Sequence, residues 1–100
     1  MQILIASRKV TISRTFQASI RSQLAERLRR FTSAIESVQV ELVDRNGRRG
    51  GGDKQCRIQA TVKGVRIACG DVRANLRTAV RHAIDQLEAT VHRQLRSSPA

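Results

Sequence analysis

The sequence predicts an α+β fold, a two-layer sandwich in which two helices packed in parallel cover one face of a four-stranded sheet. Three observations lead to this prediction. Two segments repeat apolar residues every three or four positions, three segments between them alternate apolar and polar residues, and a short apolar segment opens the chain. The order of elements is therefore β-α-β-β-β-α. Since each element has one apolar face, the simplest packing places both helices on the same side of the sheet.

The first strand and the first helix are predicted at residues 2–7 and about 14–31. Residues 2–7 are short and rich in apolar side chains, and Ser13 or Thr11 is a suitable N-cap for the helix that follows. At 100° per residue, the five large apolar residues of this helix fall within about 120° of one another, which is the width of a core-facing stripe. These residues are Phe16, Ile20, Leu24, Leu28 and Phe31.

From residue 37 the apolar period changes to two, which predicts three strands. A glycine-rich hairpin loop over residues 44–54 separates the second strand from the third. Residues 63–64 then supply a two-residue turn, and residues 70–71 end the fourth strand. The inner faces of the three strands are expected to consist of Val38, Val40 and Leu42, of Cys56, Ile58, Ala60 and Val62, and of Val65, Ile67 and Cys69.

The helical period returns at Val72 and predicts a second helix to about Arg96. Residues 1–96 are expected to form a single domain, because a chain of 100 residues with 40% apolar content suffices for one core. Residues 97–100 are then a short polar tail. The apolar stripe of the second helix consists of Leu76, Val80, Ala83, Ile84, Leu87, Val91 and Leu95.

The chain is strongly basic, with 16 arginines and three lysines against eight acidic residues, and a formal net charge of +11. Arginine binds phosphate through two hydrogen bonds at once, whereas lysine offers a point charge. A charge excess of this size favours a polyanionic partner, and nucleic acid is the first candidate. Because Phe16 and Phe31 are the only aromatic residues, we expect recognition of phosphate and shape rather than base stacking.

Nine of the eleven excess charges fall on the two predicted helices and the loop at residues 44–54. If the helices are neighbours, their basic bands merge into one surface of phosphate-binding size. The alternative is that these arginines are merely solvated. Asp85 and Glu88 dilute the second band, and Arg81 is expected to pair with Asp85. The candidate binding residues are Arg14, Arg21 and Arg29 on the first helix, and Arg77, Arg81, His92 and Arg96 on the second.

The loop at residues 44–54 is a candidate for a secondary RNA contact through Arg45, Arg48 and Arg49. The default interpretation is a mobile hairpin loop with incidental charge. The loop lacks the Gly-Lys-Ser/Thr ending of a P-loop and does not open a helix, which argues against a nucleotide site.

The sequence offers no set of residues for catalysis or metal binding. His82 and His92 are ten positions apart, without the spacing of metal ligands. With the predicted turn, Cys69 falls opposite Ile58 and Cys56 lies diagonal to it, so we expect two reduced, buried thiols and no disulfide. We therefore expect a protein that is not an enzyme and has no metal, no cofactor and no small-molecule substrate.

A location in the cytoplasm is expected as well. No apolar run approaches the 18 residues of a membrane span, and the apolar opening is too short for a signal peptide. Neither predicted helix has the wide, bulky apolar face of a membrane-surface helix, so no membrane contact is expected.

The sequence resembles the ribosome hibernation-promoting factor and ribosome-associated inhibitor A family of bacterial translation regulators. Each matching segment is short, but their order and spacing extend over nearly the whole chain, as in a short form of the family without a second domain. The segments are Met1-Gln2-Ile3, Val10-Thr11-Ile12-Ser13, Leu28 to Phe31, Val38-Gln39-Val40, Val62-Lys63-Gly64 and Ala83-Ile84-Asp85-Gln86-Leu87.

This resemblance implies the same order of strands and helices, and it implies binding of the small ribosomal subunit. The basic helical face would lie against ribosomal RNA in the mRNA and tRNA channel and hold ribosomes idle under stress. By position, the resemblance implies RNA contacts through Arg14, Arg21 and Arg29, and through Arg77, Arg81, Arg93 and Arg96.

Two other functions stay open at this point. The same helical face would serve a general binder of structured RNA. Alternatively, the outer face of the sheet would serve a protein-interaction module, through Gln39, Glu41, Arg57, Gln59, Thr61 and Arg66. The sequence leaves the oligomeric state open.

Overall fold

The computed structural model describes residues 1–44 and 54–97. Within these residues, the strands and helices follow the predicted order, and the α+β fold is confirmed. A short 3₁₀ turn at Arg29–Phe31 was not predicted. The elements are β1 (Gln2–Arg8), α1 (Arg14–Arg27), β2 (Ile35–Asp44), β3 (Lys54–Val62), β4 (Val65–Arg73) and α2 (Leu76–Ser97).

The four strands form one sheet in the order β1-β2-β3-β4. β1 pairs in parallel with β2, and α1 makes the crossover between them. β3 pairs in antiparallel fashion with both of its neighbours, β2 and β4. β1 and β4 therefore run in the same direction. Since each of these strands is followed by a helix that returns along the inner face, α1 and α2 lie side by side.

The core lies between the helices and the inner face of the sheet. All five apolar residues predicted for the first helical stripe are buried, as are the inner residues predicted for the second and third strands. The fourth strand is less covered. Ile67 and Cys69 are half-buried, and Val65, the first residue of this edge strand, keeps 45% of its surface exposed.

α1 begins where the sequence places its cap. The Ser13 hydroxyl accepts a hydrogen bond from the Phe16 backbone N–H at 3.0 Å, which satisfies one of the free donors of the first turn. The predicted end of the helix was wrong, because α1 stops at Arg27. A tighter 3₁₀ turn follows, closed by a bond from the Phe31 N–H to the Leu28 carbonyl at 2.9 Å, and such turns are common at helix ends.

The hairpin between β3 and β4 has the predicted two-residue turn. Lys63 and Gly64 both have positive φ angles, of 49° and 81°, and Val62 pairs directly with Val65. Two consecutive positive φ angles are typical of a type I′ turn, whose twist matches that of the flanking strands. Glycine at the second position adopts this conformation without strain.

β4 does not end at residues 70–71, as the sequence predicted, but continues to Arg73. It stays paired with β3 throughout, with Gly70 opposite Arg57 and Asp71 opposite Cys56. A Cβ atom on Gly70 would lie 2.9 Å from the Cys56 carbonyl oxygen. Glycine thus permits a close approach of two backbones within the sheet and does not end the strand.

The extension of β4 moves the start of the second helix from Val72 to Leu76. Asn75 caps this helix, because its side-chain oxygen accepts bonds from the backbone N–H groups of Arg77 and Thr78, at 2.8 and 3.3 Å. The apolar stripe predicted for the second helix otherwise faces the core. Val80, Ala83, Ile84, Leu87 and Val91 are buried, and Leu76 and Leu95 are half-buried at the two ends.

The two cysteines lie in β3 and β4, where Cys69 is opposite Ile58 as predicted. Both are free thiols, Cys56 fully buried and Cys69 half-buried. The Cys69 thiol donates to the Ala83 carbonyl at 3.5 Å. Burial raises the pKa of Cys56 to about 12 and that of Cys69 to about 11, so both are protonated and unreactive near neutral pH.

Gly70→Ala is expected to destabilise the protein by about 1–3 kcal/mol, because the new methyl group meets backbone that cannot move aside cheaply. Urea denaturation monitored by circular dichroism measures this loss. Ala68→Val is the matched control, since it also enlarges a side chain of β4, at an exposed position. Equal stability of the glycine variant and the native protein would contradict the close approach.

The free energy of unfolding is expected to fall as the pH rises from about 9 to about 12. Unfolded thiols ionise near pH 9, whereas the folded thiols keep their protons to about pH 11 and 12. In this window the folded state binds more protons, so stability decreases with pH. Denaturation midpoints at several pH values measure the slope. A Cys56→Ala/Cys69→Ala variant should lose most of it, and an unchanged slope would exclude the thiols as the cause.

Candidate nucleic-acid interface

The predicted binding residues of α2 share one side of the helix. At 100° per residue, Arg77, Arg81, His92 and Arg96 fall within a sector of about 100°, and Arg93 lies about 60° farther round. All five are exposed. We call this sector of α2 the basic band.

Five of the predicted arginines have guanidinium groups that are free for a ligand. They are exposed, and within residues 1–44 and 54–97 their guanidinium groups make no ion pair, hydrogen bond or ring contact. A cation without an internal partner keeps its full charge for an anion from solution. These residues are Arg14, Arg29, Arg81, Arg93 and Arg96.

Two other predicted arginines have partners inside the protein. The Arg77 guanidinium lies 4.7 Å from the centre of the Phe16 ring and so contacts α1 across the helix pair. The Arg21 guanidinium donates a hydrogen bond of 2.8 Å to the Ile3 carbonyl of β1, at the edge of the sheet. Arg77 therefore has a packing role, and Arg21 lies on the β1 side of its helix.

The α1 arginine that reaches α2 is one that the sequence analysis did not single out. Arg27 lies about 120° round the helix from Arg21, while Arg14 is only about 20° from Arg21. Arg27 pairs with Asp85 at 2.5 Å and with Glu88 at 2.6 Å. Arg14 and Arg21 thus lie on the β1 side of α1, away from α2. The expected merging of the two bands is not formed through them, and Arg27, which does reach α2, is engaged by its two carboxylates.

The ion pair that the sequence favoured, between Arg81 and Asp85, is not formed, since Asp85 turns to Arg27 instead. A signal for this contact was present in the sequence. Two carboxylates three residues apart beside the apolar stripe of a helix need cations, and the neighbouring helix is rich in arginine. The hydrogen bonds that the Arg27 guanidinium donates, first to the Glu88 carboxylate and then to that of Asp85, raise the pKa of Arg27.

The 3₁₀ turn that follows α1 adds a smaller contact to the same region. Arg30 lies 5.0 Å from the centre of the Phe31 ring and 4.0 Å from the Glu88 carboxylate. The His92 ring is tilted against the Phe31 ring, with centroids 6.0 Å apart. Arg30 and His92 are both exposed and both contact the buried Phe31 ring, which links the 3₁₀ turn to α2.

The predicted secondary contact through Arg45, Arg48 and Arg49 lies outside the residues that the structure describes.

The outer face of the sheet, on the side away from the helices, carries a depression of about 330 Å³ beside Leu4, Gln39 and Arg57. Leu4 is 49% exposed there.

A further polar cluster joins the end of β4 to α2. Arg73 donates to the Asp71 carboxylate at 2.7 Å, and the His82 ring nitrogen lies 3.1 Å from Arg73 and 3.4 Å from Asp71.

In the described part of the chain, no three acidic, histidine or cysteine side chains are grouped to hold a metal ion. Nor is any helix of that part long and apolar enough to cross a membrane.

Comparison with known proteins supports one family. Residues 3–97 match the family model described as sigma 54 modulation protein / S30EA ribosomal protein. Among curated protein sequences no match was found.

Two solved structures share the fold. The N-terminal domain of protein Y from Thermus thermophilus is 23% identical, with a TM-score of 0.77 over 93% of this chain and 98% of that one. A ribosomal subunit interface protein from Coxiella burnetii is 15% identical, with a TM-score of 0.74 over 97% of this chain and 100% of that one.

Proposed function

Because this chain belongs to the sigma 54 modulation protein / S30EA ribosomal protein family, we propose that it binds the ribosome and regulates translation. The basic band of α2 binds RNA of the small subunit. The bound protein then fills the decoding channel, where mRNA and tRNA bind, and so holds ribosomes idle under stress. It acts by binding and steric exclusion, in the cytoplasm, without chemical catalysis.

The observation that carries this proposal is the set of unpartnered arginines on the outer side of α2. Arg81, Arg93 and Arg96 are exposed and have no anionic partner among the described residues. In a chain with a net charge of +11, they are available to neutralise phosphates, which releases counterions and drives association. One solved structure of the same fold is that of a ribosomal subunit interface protein, which supports this partner.

The nature of the side chains favours recognition of RNA shape over base sequence. Both phenylalanines are buried, so neither offers a surface on which a base would stack. Guanidinium groups along one side of a helix match phosphates spaced along folded RNA. The ribosome supplies such a surface in fixed geometry, which supports it as the partner of this small domain.

A second candidate function is protein binding through the outer sheet face. The depression beside Leu4 and the 39% exposure of Val72 favour it, since exposed large apolar residues on a sheet often mark contacts. This surface lies opposite α2, so the two functions require different residues.

We expect the protein to sediment with 30S and 70S particles when lysate is prepared at low salt. Contacts to about five phosphates predict that log affinity falls against log salt with a slope of about −3 to −5. Competition with an arbitrary RNA duplex is the control. Equal affinity for the duplex would indicate a general binder of structured RNA. Association with a protein that survives nuclease treatment would favour the outer sheet face as the binding surface. An affinity that does not change with salt would contradict both ribosome binding and general RNA binding.

Arg81→Gln/Arg96→Gln is expected to weaken binding to purified small subunits by more than about tenfold and to reduce the salt slope by about 1.5, because two phosphate contacts are lost. The matched control is Arg57→Gln/Arg66→Gln, which removes the same charge from exposed positions of the outer sheet face. Melting temperatures should change little, since exposed substitutions cost about 0.5 kcal/mol or less. Equal losses for both variants would exclude α2 as the binding surface.

A further inference from the structure

Two carboxylates interrupt the basic band of α2. Glu88 lies about 20° from Arg81 on the helical wheel, and Asp85 about 20° from His92, so both belong to the sector that would face phosphate. Exposed carboxylates in such a position repel an approaching polyanion. A surface that binds RNA therefore has to compensate them.

Arg27 of α1 supplies the compensation. Its Nε donates to Glu88 at 2.8 Å, and its Nη2 lies 2.6 Å from the same carboxylate and 2.5 Å from Asp85. Arg30 adds a longer contact to Glu88, at 4.0 Å. One guanidinium thus bridges both acidic residues from the neighbouring helix, and the contacts raise the pKa of Arg27.

The contact does little for stability by itself. The side chains of Arg27, Asp85 and Glu88 are 38%, 50% and 27% exposed, and ion pairs in such positions contribute little to folding because solvent screens them. The donors that the guanidinium turns towards the carboxylates are also no longer free for phosphate. Its main effect is on the charge that α2 presents.

We propose that Arg27 sets the RNA affinity of the basic band by neutralising Asp85 and Glu88, without itself contacting phosphate. The proposal rests on the proposed function, since it assigns a role at the same surface. It follows that the effect of Arg27 depends on the carboxylates. An arginine that bound phosphate directly would show no such dependence, and one that only held the helices together would change the melting temperature along with the affinity.

The test compares Arg27→Gln, Glu88→Gln and the double variant by their affinity for purified small subunits. We expect Arg27→Gln to bind about tenfold more weakly, because two carboxylates are left uncompensated. The double variant restores the net charge of the native cluster and should recover to within about twofold, a coupling that only interacting sites show. Arg27→Lys should bind nearly as well as the native protein.

The matched control is the pair Arg8 and Glu41, which is joined at 3.4 Å on the outer sheet face. Arg8→Gln, Glu41→Gln and their double variant should change affinity by about twofold or less. A double variant at Arg27 and Glu88 that stays as weak as Arg27→Gln would overturn the proposal, and so would an Arg27→Gln protein that binds normally. Melting temperatures of all variants ensure that folded proteins are compared.

A short RNA duplex at low salt provides a second probe that separates this proposal from the proposed function. If the native protein fails to bind small subunits but the variants keep the expected order on the duplex, compensation by Arg27 stands and the ribosomal function falls. If the subunits bind and neither probe shows recovery in the double variant, the ribosomal function stands and the role of Arg27 falls.

Discussion

The packing of two helical stripes against one face of the sheet determines where the charged side chains of this protein lie. The inner face of the sheet and the stripes of α1 and α2 bury the large apolar side chains, from Ile20 and Leu24 to Leu87 and Val91. Every arginine on a helix is then forced to a border or to the outer side. The basic surface is in this sense a consequence of the core.

Sixteen guanidinium groups on so small a domain repel one another, and the few carboxylates are arranged to limit the effect. Glu41 pairs with Arg8 on the sheet, Asp71 with Arg73 at the end of β4, and Glu88 with Arg27 between the helices. The remaining arginines of α2 have no such partner in the described part of the chain. Unpaired charge therefore remains on the outer side of α2, where Arg81 and Arg96 are available to neutralise phosphate.

Most of the fold was predictable because apolar periodicity is a local property. The five apolar residues of the first helix, the inner faces of the second and third strands, the cap at Ser13 and the turn at residues 63–64 are confirmed. The errors lie at element ends. Gly70 looked like a strand breaker, yet it allows β4 to approach the backbone of β3, and this contact depends on a partner 14 residues away in sequence.

The candidate site was predictable in its composition and less so in its geometry. The spacing of Arg77, Arg81 and Arg96 on one side of α2 follows from the helical period alone. The partners of Arg21, Arg77 and Asp85 could not be predicted from this period, since each partner lies on an element distant in the chain. The spacing of four residues along α2 predicted a pair between Asp85 and Arg81, but Asp85 pairs with Arg27 of the neighbouring helix instead.

The sequence by itself determined the order of elements, the apolar faces and the charge of the surface, because these depend on residue type and on spacing along the chain. Only the tertiary structure decided which arginines keep their charge for a ligand and which give it to an internal partner. That division depends on distances of a few ångströms between side chains of different elements. These distances are set by how the helices pack on the sheet, and the periodicity of the sequence contains no information about them.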